Sequence, residues 1–60
     1  MSTFIHVQKN TISECWEVRE NGHRVFNTAH KLGAIMEAEA ICDDLEAQGV
    51  EVIMQFDLRG

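Results

Sequence analysis

The sequence predicts an α+β domain: an antiparallel β-meander of three strands, one helix, then a final strand (β-β-β-α-β), with the helix packed on one face of a four-stranded sheet. Three observations carry that prediction. Asn21-Gly22 sits between two runs of β-forming residues, and Asn-Gly is the strongest short hairpin signal because a type I′ turn needs φ > 0 at both central positions. Ala34, Ile35, Ala38, Ile41, Cys42 and Leu45 recur at helical spacing ahead of Gly49, a residue suited to the left-handed position that closes a helix. Val50, Val52, Met54 and Phe56 alternate with Glu51, Ile53 and Gln55, which is strand periodicity.

Each element follows in order. Residues 4–9 mix β-branched and aromatic side chains with polar ones and read as the first strand. Asn10-Thr11-Ile12-Ser13-Glu14 is a polar connection of hairpin-loop length. Residues 15–20 and 23–26 are the arms of the Asn-Gly hairpin. A two-residue loop sets Glu20 opposite His23, Val18 opposite Val25 and Trp16 opposite Asn27. Trp16, Val18 and Val25 then share the face turned to the helix, with Cys15, Glu17, Arg19, Arg24 and Phe26 on the other. Asn27 or Thr28 is the expected N-cap. Gly33 weakens the first turn by ~1 kcal/mol relative to alanine, so regular helix is expected to begin near Leu32. Glu37, Asp43, Asp44 and Glu46 lie off the apolar stripe. Residues 50–56 form the last strand, parallel to the first and third if directions alternate; either can be its neighbour through a right-handed crossover, and an edge beside the first is favoured. Residues 57–60 read as a frayed tail.

The 60 residues read as one domain, 1–60, whose folding buries only ~60% of the surface the unfolded chain exposes. Below roughly 70–80 residues, natural scaffolds add disulfides, a metal or oligomerisation. The two cysteines, Cys15 and Cys42, fall on different faces of the predicted sheet and are expected as free thiols. Oligomerisation is the remaining device, and a homodimer is expected. Its candidate interface is Phe26, Leu32 and Met36: Leu32 and Met36 lie four apart, round the helix from the stripe, and Phe26 lies on the sheet face that a single helix leaves uncovered.

Charge restricts the partners. Ten acidic against five basic side chains give −5, and the basic residues are scattered, whereas duplex binders cluster theirs to neutralise phosphates. The balance argues against general nucleic-acid or anionic-membrane binding and leaves one small basic spot, Arg19, His23 and Arg24 on the hairpin. No run approaches the ~20 apolar residues of a membrane span, residues 1–6 lack the pattern of a secretory leader, and unpaired cysteines fit a reducing compartment. The expected location is cytoplasmic.

No catalytic constellation is visible. The histidines His6, His23 and His30 lack helical i, i+4 pairing, and neither CxxC nor HxxxH spacing occurs, so no metal and no cofactor are expected. Asp43 and Asp44 are adjacent on a helix and diverge. Cys15 and Cys42 have acidic neighbours, which disfavour a thiolate nucleophile. P-loop, GxSxG, dinucleotide and EF-hand patterns are missing. The chain is not expected to be an enzyme.

The residues Trp16-x-Val18, Asn21-Gly22-x-Arg24, Phe26-x-Thr28, Ala34, Ala38, Leu45 and Gly49-x-Glu51-Val52 resemble small uncharacterised bacterial domains built as β-hairpin, helix, strand. The likeness covers roughly residues 16–52. It implies the fold, and no functional residue comes with it, because that group has no assigned activity. The helix here departs from the lysine-rich helix of those domains and is acidic.

Together these readings describe a small cytoplasmic, non-enzymatic interaction or regulatory module that is dimeric and binds a protein partner through a sheet face or edge. Two alternatives are a phage or mobile-element accessory protein acting as an acidic decoy for a basic host protein, and a weak nucleic-acid contact through Arg19, His23 and Arg24.

Overall fold

The structure, a computed structural model, describes residues 2–57; of the tail expected at 57–60, residues 58–60 lie outside the described residues. β1 (Ser2–Asn10), β2 (Cys15–Glu20) and β3 (His23–Thr28) form the meander, α1 (Lys31–Ala47) follows, and β4 (Glu51–Phe56) completes a four-stranded sheet in the order β3-β2-β1-β4. β4 runs parallel to β1, with Val52 level with Thr3 and Met54 level with Ile5. The parallel direction follows from the alternation of strand directions, which suits a place beside β1 or β3, and the edge beside β1 is the favoured one of the two. The helix lies on one face only. Ile5, Val7, Trp16, Val18, Ala34 and Ala38 form the buried core, with Phe26, Ile41, Leu45, Val52 and Met54 packed against it. Two alanines at the centre of the helix contact let α1 sit close to the sheet, because neither side chain holds the two layers apart.

Both ends of the β2–β3 turn behave as the sequence requires. Asn21 and Gly22 have φ of 51° and 88°, and Glu20 pairs with His23. Asn21 does more than turn the chain. Its Oδ1 accepts from the Phe4 N–H at 2.9 Å, and its own N–H donates to the Phe4 carbonyl at 2.8 Å. The hairpin tip is thereby tied to β1. Asn21→Ala is expected to cost about 1–3 kcal/mol, combining a left-handed alanine with a lost hydrogen bond. Asn21→Gly relieves the first cost and keeps only the second, so urea midpoints should rank wild type, then Asn21→Gly, then Asn21→Ala.

The hairpin register differs from expectation beyond its first two pairs. Arg19 pairs with Arg24, but Val18 then pairs with Phe26, Glu17 with Asn27 and Trp16 with Thr28, through an irregularity between Val18 and Arg19. One extra residue in β3 opposes β2, which is a β-bulge. Phe26 therefore joins Trp16 and Val18 on the helix side and packs on the core, while Val25, predicted inward, is 48% exposed. The physical reason is size: turning in the larger aromatic removes more apolar area from water than turning in valine. Phe26 is thus corrected from the uncovered face to the core side. Leu32 and Met36, 68% and 64% exposed, do lie outside the core.

The helix start also differs. Neither Asn27 nor Thr28 is the cap: both belong to β3, and the N-cap is His30, which makes no side-chain capping bond. Extending β3 by two residues past Phe26 carries the cap position with it. Thr28 Oγ1 instead accepts from the His30 N–H at 3.3 Å, shaping the strand-to-helix link. The helix end is as read. Gly49 has φ of 81°, its N–H donates to the Glu46 carbonyl at 2.9 Å, and the Val50 N–H donates to the Leu45 carbonyl at 3.0 Å. This pair of bonds is a Schellman motif.

Candidate functional site

The helix covers one side of the sheet, so the other side is where side chains of the strands meet the surroundings. Alternation along β1 puts Phe4, His6, Gln8 and Asn10 on this helix-free face, opposite the buried Ile5 and Val7. Register then adds Cys15 beside Asn10, Glu17 beside Gln8, Arg19 beside His6 and Ile53 beside Phe4.

Glu17 is at the centre and is only 2% exposed. A carboxylate this buried is stable only with partners that replace water. Arg19 supplies one at 3.2 Å and Arg24 another at 3.6 Å, and the Asn10 amide donates to Oε2 at 3.2 Å. The Asn10 bond is the largest influence on its acidity and holds the carboxyl below its usual range; burial opposes it, and Arg19 and Gln8 act with it. Arg19 is fixed further by donating to the Gly22 carbonyl at 3.0 Å. The result is a preset polar cluster in which two guanidiniums share one carboxylate.

An apolar and aromatic strip adjoins the cluster. The Phe4 and His6 rings lie 6.0 Å apart, tilted by 55°. Phe4 and Ile53 are exposed, and the His6 Nε2 is buried without a hydrogen-bond partner.

The predicted basic spot is redistributed by this arrangement. Arg19 and Arg24 come together, but over Glu17, which offsets part of their charge. His23 pairs with Glu20, which is level with Ile5, so it lies toward the opposite face. Of the predicted interface residues, Leu32 and Met36 sit on the outer side of α1, away from Phe26. The sequence places Glu17 on this face and marks His6 only as a metal-ligand candidate, and nothing in it brings Glu17, Phe4, His6 and Ile53 together as a cluster. The signal for Glu17 was the opposition of Arg19 and Arg24, since two apposed cations require an anion between them.

Cys15 and Cys42 are free thiols. Desolvation, together with the Glu46 carboxylate that accepts from Cys42 Sγ at 3.3 Å, pushes the Cys42 thiol up, away from the thiolate. Among the described residues no group of three or more His, Cys, Asp or Glu is arranged to hold a metal ion, no pocket is found, and no helix is long and apolar enough to cross a membrane. No protein-family model, curated protein or solved structure matches the chain.

Proposed function

We propose that the chain is a small, non-enzymatic, dimeric interaction module of the cytoplasm, engaging a protein partner through the helix-free face of its sheet. The observation that carries this reading is the juxtaposition on that face of a buried, doubly paired Glu17 with exposed Phe4 and Ile53. Apolar contact area beside prearranged polar groups is what a protein interface uses, because side chains already fixed lose little entropy on binding.

A tagged chain is used to capture partners from lysate, in parallel with Phe4→Glu and with the charge reversals Asp43→Lys and Asp44→Lys. Loss of a discrete captured protein with Phe4→Glu alone supports the sheet-face reading. Loss with the reversals alone moves the function to the exposed acids of α1, the decoy alternative. Capture of nucleic acid that falls steeply with salt and with Arg24→Gln favours the hairpin contact.

A further inference from the structure

The two edges of the sheet are not alike. β3 ends one side and is broken by its bulge, with exposed His23 and Arg24 along it. β4 ends the other side as six regular residues without lysine, arginine or proline. Charged residues, proline and bulges are the devices by which natural edge strands avoid pairing with other chains. β4 has only Glu51, and it carries the exposed Ile53 and Phe56.

The direction of the β4 backbone can be read from one bond. The Asp57 N–H donates to the Val7 carbonyl at 2.8 Å, while Val7 is level with Phe56. In a parallel ladder a residue bonds to the positions on either side of its register partner. Gln55 and Asp57 therefore turn their backbone groups toward β1, and by alternation Val52, Met54 and Phe56 turn theirs outward.

We propose that two copies of the chain pair antiparallel through β4, about a twofold axis at Ile53, to form one eight-stranded sheet with both helices on the same side. This names the contact behind the dimer proposed above and rests on that reading. The register is set by complementarity. With Ile53 opposite Ile53 of the second copy, Val52 lies opposite Met54, both with outward backbone groups that can bond, and Val50, whose N–H is held by the Leu45 carbonyl, lies at the end of the ladder opposite Phe56. Glu51 falls opposite Gln55, an acid against an amide. A slip by one residue sets inward groups against outward ones and makes no ladder. A slip by two toward the C-terminal end sets Glu51 against Asp57, which are like charges. A slip by two the other way shortens the paired segment. A second copy fits this edge because an isologous contact requires a self-complementary strip, and this strip is one.

The test is oxidative cross-linking in the full chain carrying Cys15→Ala and Cys42→Ala. Ile53 would be a non-hydrogen-bonded pair with Cα atoms ~4.5 Å apart, within the ~4.4–6.8 Å that a disulfide spans. Ile53→Cys is expected to form a covalent dimer quickly, Gln55→Cys alone to do so slowly, and a mixture of Glu51→Cys with Gln55→Cys to cross-link to each other. The natural chain should sediment as a dimer, more completely as ionic strength rises from ~0.01 to ~0.1 M and the Debye length falls from ~30 to ~10 Å, since each copy carries −5. Ile53→Lys should weaken the dimer about tenfold or more, by apposing like charges at the axis, with unchanged far-UV circular dichroism. Equal cross-linking of Ile53→Cys and Gln55→Cys, or a natural chain monomeric at ~100 µM, overturns the proposal. None of these readouts involves a captured protein, so failure here is distinguishable from failure of the sheet-face partner reading.

Discussion

Trp16→Ala is expected to leave the chain largely unfolded. Trp16 is the largest side chain of the core, 8% exposed, and truncating a buried tryptophan costs ~3–5 kcal/mol. A domain of this length has a total stability of about 3–9 kcal/mol, so the loss is comparable to the whole. The ring is roofed by Lys31, whose Nζ lies 5.8 Å from its centroid. That contact brings the start of α1 over the indole, and Trp16 shares its core cluster with Ala38, against which Ile41 and Leu45 also pack, as the helix stripe suggests. Lys31→Ala should cost only about 0.5–1 kcal/mol, the usual size of an exposed cation–π contact. Urea unfolding followed by circular dichroism checks both, and an unchanged midpoint for Trp16→Ala would contradict the packing described.

Glu17→Gln should produce the second large effect and reveal its origin through pH. The amide cannot neutralise Arg19 and Arg24, so the variant should lose about 1–3 kcal/mol. The guanidiniums are 34% and 57% exposed and reach water, which keeps the loss below that of a fully buried pair. Because the folded carboxyl is held below its unfolded value, its contribution is complete above the unfolded pKa of about 4.3 and disappears as pH falls through the folded value. Wild-type stability should therefore be flat near neutrality and decline from about pH 5 downward, and Glu17→Gln should remove part of that decline. Equal slopes in the two proteins would show that Glu17 is not held as described.

Much of the fold was legible because several local signals agree. Asn21-Gly22 demanded a hairpin, Gly49 a helix end, and the alternation of residues 50–56 a strand parallel to β1 and β3, although direction alone does not choose between those two neighbours. The bulge was not legible. Val25 and Phe26 are both good strand residues, and the choice of which turns inward is made by the area each buries against α1, a tertiary quantity. The helix cap failed for the same reason, since Thr28 was taken up by pairing with Trp16. The candidate site was hidden by a rule that is usually right. Glu17 lies on the face opposite the core, where alternation implies water, and the polar side chains gathered round it, Asn10 with Arg19 and Arg24, take the place of that water.

The pairing of β1 with β4 also governs the order in which the molecule can be made. During synthesis the meander of β1, β2 and β3 has all its residues before the helix emerges, and its contacts are local. The second neighbour of β1 lies some fifty positions away along the chain. Until residues 51–56 have cleared the ribosome, β1 is itself an unprotected border, with Ile5 and Val7 lacking the strand that flanks them in the finished sheet.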